Sequence, residues 1–191
     1  MTTGGDFMRT DYIHRQELLH LLAALTPPNR LAMEISLATG LRISDVLGIR
    51  SDAVRSSKDG RISVTELKTG KRRRVRLNNE LQSRALDMAG KVYVFEHRHD
   101  WRRPRTRQAV WKDLKRIARA FRLKPNVAPH SARKVYAVGA LDRSGELARV
   151  QKLLNHEREA VTELYAYADE LTARRLGRRS KKAASTRTGG A

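Results

Sequence analysis

Two short runs of this 191-residue chain, 61–67 and 74–77, alternate polar and apolar side chains. Such a period of two lets one face of a strand pack while the other meets solvent. Between the runs lies Thr69-Gly70-Lys71, a turn with a glycine, so the pair reads as one antiparallel hairpin. Most of the remaining sequence carries apolar residues at helical spacing. Only folds that set a small sheet among several helices are open to such a chain: mainly α with a small antiparallel β-sheet, an α+β architecture.

The helices are punctuated clearly. Residues 15–25 are an apolar-rich helical stretch stopped by Thr26-Pro27-Pro28. Thr26 is suited to cap the next helix with Pro27 at its first position. Residues 31–39 read as buried helix ended by Gly40, and Ser44 or Asp45 as the cap of a short helix running through Leu47. Asn78 or Asn79 starts another that stops at Gly90. Residues 92–95 are an apolar strand-like piece and 97–105 a basic loop. Residues 106–121 place Val110, Leu114, Ile117 and Phe121 at helical spacing, with Trp111 read as core. Beyond Pro125 and Pro129 three helices are expected, at 130–142, 146–154 and 159–176. Three segments result: a leader at 1–11, one folded domain at 12–176, and a basic tail at 177–191 expected to lack order by itself.

Composition selects a partner. Lys and Arg number 40 against 20 Asp and Glu, for a formal charge of +20. Such an excess attracts polyanions, nucleic acid above all. Charge does not select a reaction, because a chromatin-like or RNA-binding protein shows the same excess. With no cysteine there is no disulfide framework, thiolate nucleophile or Cys-ligated zinc. No apolar run approaches the roughly 18 residues of a membrane span, and residues 1–11 lack the order of a signal peptide. The expectation is a soluble cytoplasmic protein, nucleoid-associated or in a host cell's cytoplasm.

The chemistry is carried by spaced residues. His130 and Arg133 stand three apart on one helix, His156 follows 23 residues later, and Tyr165 nine beyond that. Arg42 comes just after a helix terminator and Lys68 at a strand end beside the turn. Guanidiniums grip two phosphate oxygens at once, imidazoles relay protons or hydrogen-bond phosphate, an ammonium can protonate a leaving oxygen, and a phenol can attack phosphorus. Four fixed positions match by chance on the order of 10⁻⁶ to 10⁻⁵ per starting point.

With the words Thr39-Gly40-Leu41-Arg42-Ile43-Ser44-Asp45, Leu67-Lys68-Thr69-Gly70-Lys71, Thr106-Arg107-Gln108-Ala109-Val110-Trp111 and Val150-Gln151-Lys152-Leu153-Leu154-Asn155-His156, the set resembles the tyrosine recombinases, or phage-integrase family. The resemblance runs from about residue 18 to 171. It implies the family's catalytic-domain fold and DNA strand exchange through a 3′-phosphotyrosyl intermediate, with neither metal nor other cofactor. It implies Tyr165 as nucleophile, Lys68 as general acid, Arg42 and Arg133 as phosphate clamps, His130 as proton relay and His156 as phosphate donor. Asp45 would orient a guanidinium. Double-stranded DNA is the implied partner, with a homotetramer on two duplexes and, since few residues precede the first helix, an accessory DNA-binding protein or a missing DNA-binding domain.

Each assignment has a plainer rival. Tyr167 competes with Tyr165, two residues away on another side of the helix. Lys71 competes with Lys68, and a surface pair of Arg42 with Asp45 competes with catalysis. Lys71, Arg72, Arg73 and Arg74, and the loop residues Arg102, Arg103, Arg105 and Arg107, read as solvated side chains that grip DNA backbone. His97, His99 and Asp100 read as part of that loop rather than as a metal site. Asn155 stands where the family commonly has Gly, a mild departure because Asn tolerates left-handed backbone. Topoisomerase-like or telomere-resolvase use of the same site, or a DNA-binding protein that no longer catalyses, are the other functions open to this scaffold.

Overall fold

A computed structural model describes residues 13–123 and 125–154. The described chain falls into two compact units, one ending at Tyr136 and the other starting at Ala137. The division lies inside the span read from sequence as one domain.

The first unit begins with α1 (Arg15–Ala23) and α2 (Pro27–Thr39). Pro27 does open α2, but the Thr26 hydroxyl is not its cap. It donates instead to Asp113 Oδ2 at 2.8 Å. Helix α2 is buried on most sides, with Leu31, Met33 and Ile35 fully buried, so it runs through the core. It stops at Gly40, whose φ of 69° is left-handed. Short helices α3 (Ile43–Leu47) and α4 (Ser51–Arg55) follow. Neither Ser44 nor Asp45 caps α3. The capping position is Arg42, in extended backbone, and Asp45 turns inward.

The expected hairpin forms, from β1 (Arg61–Thr65) and β2 (Arg72–Arg76), antiparallel with Ile62 opposite Val75 and Val64 opposite Arg73. Strand β1 ends two residues earlier than the alternation predicts. Glu66 already belongs to the turn, its N–H donating to Lys71 O at 3.0 Å and its carbonyl accepting from Gly70 N at 2.8 Å. Gly70 takes φ of 67° there, a conformation open to glycine.

Helix α5 (Asn79–Met88) is capped by Asn78, whose side chain accepts from Leu81 N at 2.8 Å. Residues 92–95 form no strand. Arg50 and Tyr93 make an isolated bridge while Val94 and Phe95 plug the core. The basic loop is instead a second hairpin, β3 (Glu96–His97) with β4 (Asp100–Pro104).

Thr106 caps α6 (Arg107–Ala120), accepting from Ala109 N at 3.1 Å. Its buried stripe is Val110, Leu114, Ile117 and Ala118. Trp111 is not core. It is 43% exposed, with Lys115 Nζ 5.9 Å from its ring. Phe121, just past the last turn, is exposed as well.

Helix α7 (His130–Ser144) starts directly after the buried Pro129, and α8 (Leu147–Leu154) follows. His156, the third expected C-terminal helix at 159–176 with Tyr165 and Tyr167, and the tail lie outside the described residues. Among the described residues, no helix is long and apolar enough to cross a membrane. The fold is mainly α with small antiparallel sheets.

Candidate active site

The end of α2 is where the first unit gathers its charge. Gly40 N donates to Ser36 O at 2.8 Å, and the left-handed turn leaves the last carbonyls of the helix to be satisfied from outside. Two guanidiniums do so. Arg73 Nη2 donates to Thr39 O at 2.7 Å and Arg133 Nη1 to Gly40 O at 2.5 Å. Cations at a helix C-terminus also meet the negative end of its dipole. Position 40 requires glycine twice over, because a Cβ there would run into the Tyr136 ring.

From this corner the chain emerges at Arg42. Its Nη1 donates to Glu66 Oε2 at 3.1 Å and lies 4.0 Å from Asp45 Oδ2. The guanidinium side is 20% exposed while both carboxylates are buried. Glu66 Oε2 also accepts from Thr69 Oγ1 at 2.9 Å, and Glu66 Oε1 stands 3.8 Å from Arg73 Nη1. Asp45 Oδ1 accepts from Leu67 N at 3.0 Å.

Burial shifts these groups. Arg133, 2% exposed, is pushed down to about 10, first by desolvation and then by Arg42 and Arg73. It remains a cation at neutral pH. Desolvation likewise lowers Arg73 and raises Asp45; Glu66 raises Asp45 further, against the Leu67 amide and Arg42.

Of the expected site residues, Arg42, Asp45 and Arg133 thus meet in one cluster with Glu66 and Arg73. Lys68 sits exposed on the adjoining turn, between residues bound into that cluster. His130 is exposed on the first turn of α7, three residues before Arg133. His156 and Tyr165 fall outside the described residues.

Two of the expected backbone-gripping arginines are placed otherwise. Arg73 shares the inward face of β2 with Val75, while Arg72, Arg74 and Arg76 point outward. Arg105 Nε donates to Asn29 Oδ1 at 2.6 Å, and burial lowers its pKa. Both are half-buried and make polar contacts within the protein. Arg102, Arg103 and Arg107 are exposed as expected. Arg102 and Lys91 lie 5.2 and 5.1 Å from the ring of the exposed Trp101. The outer face of the first hairpin also adds Arg61 and Arg76, which the sequence reading missed; Arg61 stands directly opposite Arg76. Like charges so paired are unfavourable, although Asp59 lies 3.0 Å from Arg61.

Glu66 was missed too, yet the signal existed. Counting on by twos from Ile62 and Val64 puts residue 66 on the buried face, and a buried carboxylate among arginines needs cationic partners.

A family model described as the phage integrase family matches residues 11–171. A tyrosine recombinase XerD of Halalkalibacterium halodurans is 26% identical over 158 residues, covering 76% of this chain and 51% of that protein. A probable integrase/recombinase of Bacillus subtilis, YoeC, is 31% identical over 140 residues, covering 71% of this chain and 75% of the relative. The fold matches that of the XerH site-specific recombinase bound to its difH substrate in a pre-cleavage complex, with a TM-score of 0.63 at 20% identity. That match covers 81% of this chain and 49% of the other. The chain therefore spans about half the length of the XerD relatives it matches.

Proposed function

Since the chain belongs to the phage integrase family, we propose that it breaks and rejoins DNA strands through a 3′-phosphotyrosyl intermediate. The observation that carries this reading is the Arg42 corner. One partly exposed guanidinium is held by two buried carboxylates, with two further guanidiniums packed beneath it and the Lys68 turn alongside. Three arginines against two carboxylates leave the cluster one charge positive, a match for one phosphodiester.

In the proposed step the Tyr165 oxygen attacks a backbone phosphorus and gives its proton to His130. Arg42 bears on the non-bridging oxygens, Arg133 adds positive potential from just below the surface, and His156 donates a hydrogen bond. The bond from phosphorus to the 5′-oxygen breaks, and that oxygen takes a proton from Lys68. A second 5′-hydroxyl reverses the step on another strand. The phosphotyrosyl bond conserves the energy, so no nucleotide cofactor is spent, and guanidiniums take the charge-stabilising role that a metal ion fills elsewhere.

Double-stranded DNA is the proposed partner, with a homotetramer as the working assembly and an accessory DNA-binding protein to help choose the site. The outward row of Arg61, Arg72, Arg74 and Arg76 on the first hairpin supports a backbone-contacting role for that face. The cytoplasm, where DNA is met, is the proposed compartment.

Covalent capture tests the reading. A randomised pool of nicked suicide duplexes, incubated in EDTA, is expected to yield a protein–DNA adduct stable to denaturant. Tyr165→Phe should abolish the adduct with binding unchanged, and Arg42→Ala should slow it by roughly 10²-fold. An adduct that persists in Tyr165→Phe and vanishes in Tyr167→Phe moves the nucleophile. An absolute demand for divalent metal overturns the reading.

A further inference from the structure

Lys68 rides on a turn with little apolar anchorage at its tip. Leu67 is 74% exposed, Lys68 is exposed, and Gly70 follows in left-handed backbone. A lysine stem is long and flexible, so a proton donor carried there is only as well placed as the turn. The residues on either side of Lys68 are nonetheless tied to the segment that carries Arg42. Leu67 N donates to Asp45 Oδ1 at 3.0 Å, and the Thr69 hydroxyl donates to Glu66 Oε2 at 2.9 Å. That same Glu66 oxygen accepts from Arg42 at 3.1 Å. One buried carboxylate oxygen therefore joins the phosphate-facing guanidinium to the turn.

We propose that Glu66 and Thr69 are positioning residues, which lock the Lys68 turn to Arg42 so that proton donor and phosphate clamp reach the DNA as one unit. This rests on the reading of Lys68 as general acid. Misplacing a reacting group by about 1 Å can lower a rate by about 10²-fold, and the loosened turn should misplace Lys68 without disturbing Arg42. Thr69 is the selective handle, because its hydroxyl meets Glu66 and leaves the Arg42 pair intact. Glu66 touches both.

The experiment uses the duplex captured above, resynthesised with oxygen or sulfur at the bridging 5′ position of the scissile phosphate. A thiolate leaves without a proton, so sulfur rescues defects in proton donation alone. Thr69→Val should cleave the oxygen duplex about 10- to 100-fold more slowly than the unsubstituted chain, with unchanged DNA affinity and melting temperature. On the sulfur duplex it should return to near the unsubstituted rate, and Thr69→Ser should be normal on both. Glu66→Gln, which loses the charge that anchors Arg42, should be rescued only in part, and Arg42→Ala not at all. Rescue of Lys68→Ala together with a Thr69→Val variant that is either unimpaired or equally slow on both duplexes overturns the proposal. Failure of sulfur to rescue Lys68→Ala is a separate result. It removes the acid assignment itself, and the proposal with it.

Discussion

Asp45 is an acid in a place that resists its charge. Desolvation raises its pKa, Glu66 adds to the rise, and the Leu67 amide and Arg42 only partly offset them. When an acid's folded pKa lies above its unfolded value, the folded state binds the proton more tightly. Ionisation then counts against folding at neutral pH, and the cost fades as pH falls through the raised pKa. Asn at this position keeps an oxygen for the Leu67 N–H and carries no charge. Asp45→Asn should therefore melt above the unsubstituted chain at pH 7, with the two curves converging as pH is lowered toward about 4. Melts at pH 7, 5 and 4 check this; a variant that melts lower at pH 7 and no closer at pH 4 would mean that the arginines outweigh burial. Retention of a residue that costs stability then rests on its charge, which faces the Arg42 guanidinium at 4.0 Å and which Asn would not supply.

At the scale of elements, the opposite case is Asp113 on α6. Burial pushes its carboxyl up, but hydrogen bonds from Asn29, the Thr26 amide, Arg116 and the Thr26 hydroxyl outweigh burial and bring it down to about 2. These bonds fasten the start of α2 to α6, with Arg105 attached through Asn29. A folded pKa below the unfolded value gives stability that is present above about pH 4 and lost as pH falls toward 2. Asp113→Asn should cost roughly 2 kcal/mol at pH 7, a gap that closes in acid and that denaturant titrations at pH 7 and 3 would register. The helices and the first hairpin were legible because apolar period and terminators such as Gly40 are local signals. The hairpin of β3 and β4 was not, because most of its residues are polar and none is buried, so no alternation marks it. Arg73 was missed as an inward residue because the alternating run was started at 74; carried two residues back from Val75, the same period places it beneath the site. Arg105 offered no such clue. Its burial depends on Asn29, 76 residues away, and a contact of that range is invisible to spacing. The same limit applies to the cluster itself, whose residue types were readable while the Glu66 link between Arg42 and the Lys68 turn was not.

For the whole molecule, a charge of +20 predicts binding dominated by counterion release, with log K falling about 0.9 per phosphate neutralised as log salt rises. Two of the basic regions that can supply that slope should differ in consequence. The segment 177–191 holds Arg178, Arg179, Lys181, Lys182 and Arg187 and no acid, so deleting it should flatten the slope by up to about 4.5. Cleavage at saturating DNA should be unaffected, because none of the six proposed catalytic residues lies there. Arg72, Arg74 and Arg76 stand instead on the strand that follows the Lys68 turn. Changing all three to Gln should flatten the slope by up to about 2.7, fewer charges and a smaller thermodynamic effect. It should nevertheless slow cleavage even at saturation, because contacts on this face orient the duplex over Arg42 and Lys68 as well as attract it. Binding isotherms from 50 to 300 mM salt, paired with single-turnover cleavage of the captured duplex, separate the two roles. If the hairpin variant alters affinity alone, its arginines are only attractors; if removing the tail slows saturated cleavage, the tail takes part in assembling the cleaving complex.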